Sequence, residues 1–182
     1  LFMSLAYPST KWFIAREELK RIRSSTYITF QKVCKEYDIP RNLWHYNGND
    51  NYIEFKNGSR IDMLDVRLVP RDPLYERFGS LEYTGGWIEE GGETNFGAFD
   101  VLKTRIGRHL NDEFKLTPKI FVTCNPKKNW MYSYFYKPFK EIGLKAYQSF
   151  LQAFVQENPF IPKDYIEQLE NTSDKAKKER LL

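Results

Sequence analysis

The chain has 182 residues, 41% of them hydrophobic and 29% charged, which is enough for one substantial core. No apolar run approaches the roughly 18 residues that would suggest a membrane span. Two cysteines, Cys34 and Cys124, lie in separate apolar contexts, which argues against a disulfide framework or a zinc site and for reduced thiols in an intracellular protein; the net charge of +4 permits nucleic-acid contact without requiring it.

The amino end, from Leu1 to Tyr7, is apolar from its first residue and has no side chain placed as an N-cap, the pattern of a helix interior. After the Pro8-Ser9-Thr10 break, residues 12–16 form a short apolar run ending in Arg16 and predict a buried strand. Leu19, Ile22, Phe30, Val33, Cys34 and Tyr37 then recur near the helical period until Asp38-Ile39-Pro40 ends the run. Tyr52-Ile53-Glu54-Phe55 and Arg60-Ile61-Asp62-Met63 flank Asn57-Gly58, a strong hairpin signal. A loop with two prolines follows, and residues 81–88 predict the next strand.

Phe99, Leu102, Ile106 and Leu110 form an apolar stripe that predicts a helix over residues 96–109, carrying Arg105 and Arg108. A strand over 119–124 follows, then a helix from near Met131 that ends before Pro138, then a strand over 145–155. Glu157-Asn158-Pro159 breaks the pattern ahead of a short helix over 161–169 and a last one over 175–182. Strands alternate with helices, so an α/β sheet is expected, with the hairpin as a local antiparallel addition. The crowded aromatics Tyr132, Tyr134, Phe135, Tyr136 and Phe139 read as core, and Lys175, Lys177, Lys178 and Arg180 as a solvated helix face.

Chemistry concentrates where two of these strands end. Trp87-Ile88-Glu89-Glu90-Gly91-Gly92 and Thr123-Cys124-Asn125-Pro126 would deliver Glu89, Glu90, Thr123 and Asn125 to the crevice beyond the carboxyl ends of a parallel sheet, where ligands sit. Consecutive side chains in a strand point to opposite faces. Gly91 and Gly92, with φ > 0 open to them, are expected to turn the chain so that both carboxylates reach one site. In phosphoryl transfer one acid holds the Mg²⁺ shell and another polarises the attacking water. Cys124 reads as a small buried residue, and Arg16, Arg105 and Arg108 are candidate phosphate contacts, in cis or from a neighbouring subunit.

The order of these parts resembles the large terminase subunit of tailed bacteriophages. The resemblance rests on the strand ending in Arg16, the hairpin over 52–64 around Asn57-Gly58-Ser59, and the Arg77-Phe78-Gly79 turn. It continues through Trp87-Ile88-Glu89-Glu90, Thr123-Cys124-Asn125-Pro126 with Trp130, and Glu157-Asn158-Pro159-Phe160 leading to Tyr165-Ile166. It implies a P-loop NTPase-like, mostly parallel sheet flanked by helices, with a β-hairpin insertion. It implies ATP and Mg²⁺ as cofactors, Glu89 at the Walker B position on the metal side, Glu90 as the residue that activates water, and Thr123 with Asn125 in the motif coupling the γ-phosphate to movement. The partners implied are double-stranded DNA, a portal protein, a small terminase subunit and further copies in a ring, with no membrane, in the host cytoplasm and docked on a procapsid.

Two features depart from that family. Asp is usual where this chain has Glu89, in a more apolar strand. The phosphate cradle G-x-x-x-x-G-K-S/T appears nowhere. The helix-interior character of Leu1 to Tyr7 leads us to expect that the cradle immediately precedes Leu1, that residues 1–156 are the ATPase core, and that 157–182 lead toward a nuclease domain beyond Leu182. The 182 residues alone would then bind ATP poorly. Two other readings stay open on the residues: another P-loop DNA motor such as a helicase-like ATPase, and a noncatalytic nucleic-acid-binding domain whose basic and aromatic residues act alone.

Overall fold

The structure is a computed structural model that describes residues 1–171; the helix expected over 175–182 lies outside the described residues. Strands β1 (Lys11–Arg16), β2 (Trp44–Asn47), β3 (Tyr52–Phe55), β4 (Arg60–Asp65), β5 (Gly85–Ile88) and β6 (Ile120–Val122) form one sheet in the spatial order β2-β3-β4-β1-β5-β6. β1 pairs in parallel with both β4 and β5, and β5 in parallel with β6; β2, β3 and β4 are joined by antiparallel pairing. The expected hairpin is present, with Ile53 opposite Ile61 and Gly58 at φ +82° in its turn. It is not a local addition, however: β4 is an inner strand of the parallel core, and only β2 and β3 extend the sheet antiparallel at one edge. β2, in a segment the sequence left without an element, is that edge.

Because β1 lies between β4 and β5, the connections from β1 and from β4 leave to opposite sides of it. The strand order therefore reverses at β1, and the crevice beyond its carboxyl end is open to a ligand. β1 is covered on both faces, as a central parallel strand must be. Phe13 and Ala15 are fully buried on one face, with the Phe13 ring 5.1 Å from Tyr83. Trp12 and Ile14 pack on the other against a cluster of Ile22, Phe30, Cys34, Trp44, Ile53, Phe55, Ile61 and Met63.

Helix α1 (Phe2–Ala6) opens the chain with no side-chain cap, as its composition predicts. Its end is tied to the hairpin, since the Asn57 amide donates to the Ser4 and Leu5 carbonyls at 2.8 and 3.2 Å. After β1, α2 (Leu19–Arg21), a π turn (Ile22–Thr26) and α3 (Tyr27–Glu36) run on as one helical segment. α4 (Phe96–Lys103) follows β5, capped by Asn95, whose side chain accepts from the Gly97 amide at 2.8 Å, and it buries Ala98, Phe99 and Leu102. It stops at Thr104 instead of reaching His109, so Arg105 and Arg108 are not helical. α5 (Asn111–Phe114) leads to β6.

The chain divides into two compact units, Leu1–Thr123 and Cys124–Leu182. In the second, a π turn (Tyr132–Tyr136) passes directly into α6 (Lys137–Glu141), so Pro138 does not end the helix. It sits in the first turn of α6, where a missing N–H is tolerated. No strand forms over 145–155: Tyr147 and Leu151 are 73% and 89% exposed, and an extended segment needs a partner edge to satisfy its backbone. Phe150 instead packs on Tyr136 and Phe139, with ring centres 5.8 and 5.1 Å away. Tyr132 and Phe139 are too exposed to be core, against expectation. α7 (Lys163–Glu170) matches the helix expected there.

Candidate active site

Parallel pairing sets Ala15 opposite Ile88, so the residues that follow, Arg16 and Glu89, emerge side by side at the carboxyl ends of β1 and β5. The Glu89 amide donates to the Ala15 carbonyl at 2.9 Å, which fixes the strand end. Arg16 Nη1 donates to Glu89 Oε2 at 3.3 Å, and the Thr26 hydroxyl donates to the same oxygen. Both side chains are largely buried, with Arg16 14% and Glu89 19% exposed. Arg16 Nε is buried with no hydrogen-bond partner among the described residues, a donor suited to a phosphate oxygen.

The turn that follows is made by Glu90 itself. Glu90 has φ +50°, in the left-handed region, and Gly91 and Gly92 do not have positive φ. The expectation that the glycines make this turn is therefore corrected by one residue. Gly91 is held by its amide, which donates to the Thr123 carbonyl at 2.8 Å, and the Glu93 amide closes the turn on the Glu90 carbonyl at 2.8 Å. The turn leads into the Asn95 cap of α4.

Thr123 clasps this turn from both sides. Its amide donates to the Ile88 carbonyl at 3.0 Å, before the acids, and its carbonyl accepts from Gly91, after them. Its hydroxyl accepts from the Trp87 indole at 3.1 Å. Asn125 lies two residues further along the chain, in the second unit. Cys124 is exposed, not buried as expected, because the strand ends at Val122 and the chain leaves the sheet before reaching it.

Arg105 and Arg108 are at the other end of the sheet. The Tyr83 amide donates to the Arg105 carbonyl at 2.9 Å, and the Arg108 amide donates to the Tyr83 carbonyl at 3.2 Å. Tyr83 precedes β5, and the six residues from it to Glu89 span about 20 Å at strand rise. The guanidinium of Arg105 is spent on the Gly79 carbonyl. The topology therefore does not bring these two arginines to Glu89 within the chain.

Further carboxylates surround the first pair. Burial pushes the Glu17 carboxyl above its ordinary value, Asp65, Glu18 and Glu93 push it the same way, and Arg67 opposes them. Asp65, at the end of β4, accepts from the Leu19 amide at 3.3 Å and pairs with Arg67 at 3.3 Å. Glu93 pairs with Arg21 at 2.8 Å. No trio of His, Cys, Asp or Glu among the described residues is arranged to hold a metal on its own.

Thr26, Asp65 and Glu17 were not singled out from the sequence. For Thr26 the signal was there: Ile22, Thr26, Phe30 and Cys34 recur every four residues, with the polar member of that series where the helix passes the strand ends.

A family model described as phage terminase large subunit matches residues 1–180. No curated protein matches the sequence. Among solved structures, the large terminase from a thermophilic bacteriophage aligns with a TM-score of 0.73 at 13% identity, covering 97% of this chain and 40% of that one. The same terminase in complex with ADP gives the same values. The ATPase domain of the Thermus phage P74-26 large terminase aligns with a TM-score of 0.50 at 13% identity, covering 74% of this chain and 55% of that one. The likeness is one of fold, a P-loop-type α/β sheet, and this chain spans 40% of the length of the first of these terminases.

Proposed function

This chain belongs to the phage terminase large subunit family, and on that premise we propose that it carries the hydrolytic and coupling part of the ATPase that drives double-stranded DNA into a procapsid. The observation that carries the reading is the gathering of Arg16, Glu89, Glu90 and Thr123 at the carboxyl ends of β1, β5 and β6.

In this reading Glu90 orients and deprotonates the attacking water. A carboxylate on a backbone turn clamped by Thr123 is held in position before the substrate arrives, which is where much of the gain in phosphoryl transfer lies. Glu89 would stand on the metal side, and a bound Mg²⁺ would offset the charge of the nucleotide phosphates. Arg16 supplies a guanidinium to a phosphate oxygen through its unpaired Nε. Thr123 and Asn125 form the coupling motif: Thr123 is hydrogen-bonded on both sides of the acids, and Asn125 follows it where the second unit begins.

No G-x-x-x-x-G-K-S/T occurs in the 182 residues, so residues 1–182 alone are expected to bind ATP poorly and hydrolyse it slowly. In the packaging complex the partners are double-stranded DNA, a portal protein, the small terminase subunit and further copies in a ring, assembled on a procapsid in the host cytoplasm. No helix of the described residues is long and apolar enough to cross a membrane. The deciding experiment is Glu90→Gln in the intact protein. ATP binding is retained and hydrolysis is lost if Glu90 activates water; turnover at the wild-type rate rejects the assignment.

A further inference from the structure

Ile22, Thr26, Phe30 and Cys34 are all buried, with 0%, 5%, 8% and 4% exposure, at strict four-residue spacing. In a straight α-helix each step of four residues overshoots a full turn by about 40°, so the fourth position would drift by about 120° from the first. The π turn over Ile22–Thr26 is wider and takes back part of that drift. It keeps one face of the whole segment inward. Ile22, Phe30 and Cys34 spend that face on the apolar cluster. Thr26 does not belong to the cluster, and a buried hydroxyl is unfavourable unless it is hydrogen-bonded. Its partner is Glu89 Oε2, the oxygen that Arg16 also contacts.

We infer that Thr26 is a positioning residue for Glu89, an inference that rests on the metal-side role proposed for that acid. Two donors on one oxygen fix the plane of the carboxylate and leave Oε1 as the atom that faces the site. A guanidinium tends to take a carboxylate by both oxygens. The Thr26 hydroxyl, approaching Oε2 from the helix side, opposes that rotation, and without it Arg16 captures both oxygens and withdraws Glu89 from the cation.

The test uses the intact protein with Thr26→Val, which keeps the shape and removes the donor, and Thr26→Ser, which keeps the donor. Thr26→Val is expected to lower kcat about tenfold or more and to raise the Mg²⁺ concentration for half-maximal binding of a fluorescent ATP analogue, the usual scale for losing a residue that orients a metal-side ligand. Binding of that analogue without Mg²⁺ stays unchanged, and Thr26→Ser behaves as wild type in all three. Wild-type kcat and Mg²⁺ dependence in Thr26→Val overturns the inference, as does a Thr26→Ser variant impaired as much as Thr26→Val, which would mean packing alone. Should Thr26→Val fail to fold, Thr26→Ala is read by the same criteria. Glu89→Gln separates the two levels: unchanged turnover there rejects the role of Glu89 itself, whereas lost turnover beside a normal Thr26→Val rejects only the part given to Thr26.

Discussion

Arg16 and Glu89 leave adjacent parallel strands side by side and form a largely buried ion pair 3.3 Å long. Removing one member leaves the other charge in a poorly hydrated place, whereas removing both takes away the desolvation cost together with the attraction. Arg16→Leu is therefore expected to lower stability by about 2–4 kcal/mol, and Arg16→Leu combined with Glu89→Leu by clearly less than the sum of the single changes. Urea unfolding of the four proteins in the cycle measures this; additive losses would mean that the pair is not coupled.

Glu17 provides a pH-dependent counterpart. Its carboxyl is raised above the ordinary 4.5 by burial first and by Asp65, Glu18 and Glu93 next. The folded protein thus holds this proton more tightly than the unfolded chain does. The favourable contribution is complete below 4.5 and is lost as pH rises through the folded value, so ionised Glu17 weakens the fold near neutrality. Glu17→Gln should raise the thermal midpoint at about pH 7, with the advantage shrinking toward zero as the pH falls to 4.5. An advantage independent of pH would place the effect outside this titration.

Gly86 sits in β5 against the Phe13 ring, where an added Cβ would lie 2.3 Å from ring carbons. Phe13 is 1% exposed and cannot swing aside without opening the space between β1, β5 and Tyr83. Gly86→Ala is expected to cost about 1–3 kcal/mol by overpacking. The loss should be visible in urea unfolding and larger than for Gly48→Ala, whose Cβ would meet only the Tyr46 ring at 3.5 Å. Equal midpoints for the two variants would contradict the packing described for β5.

Much of this fold was legible because its signals are local. Asn57-Gly58 fixes the hairpin, the apolar run ending in Arg16 fixes β1, and the paired acids mark the end of β5. What was not legible depends on distant partners. The sequence of β4 cannot say that β1 lies on its other side, and that pairing turns an expected addition into the middle of the sheet. The stripe through Ile106 and Leu110 has helical spacing, yet Ile106 is bridged in parallel to Tyr83, so tertiary pairing overrides periodicity and takes Arg105 and Arg108 away from the site. The aromatic run before Val155 has the composition of a strand but pairs with no strand among the described residues.

The turn after β5 shows why the acids and the glycines do not divide their roles as the sequence suggests. With two glycines following, the expected economy is to leave the acids extended and let Gly91 or Gly92 take the left-handed conformation. Instead Glu90 takes it, at φ +50°, and Gly91 donates its amide to Thr123. A side chain in that region carries a strain of about 1 kcal/mol that glycine does not. Strain of this kind persists where the surrounding structure over-determines it, and the Thr123 clasp on Ile88 and Gly91 does so here. Glu90→Gly and Glu90→Ala remove the same carboxylate but differ in the backbone they prefer. Both should abolish hydrolysis in the intact protein, and Glu90→Gly should be the more stable by about 1 kcal/mol, the reverse of the order at an ordinary strand position. Urea midpoints decide the matter: Glu90→Ala at least as stable as Glu90→Gly would mean that the turn is not strained at Glu90 and that its carboxylate is not held there at a cost to the fold.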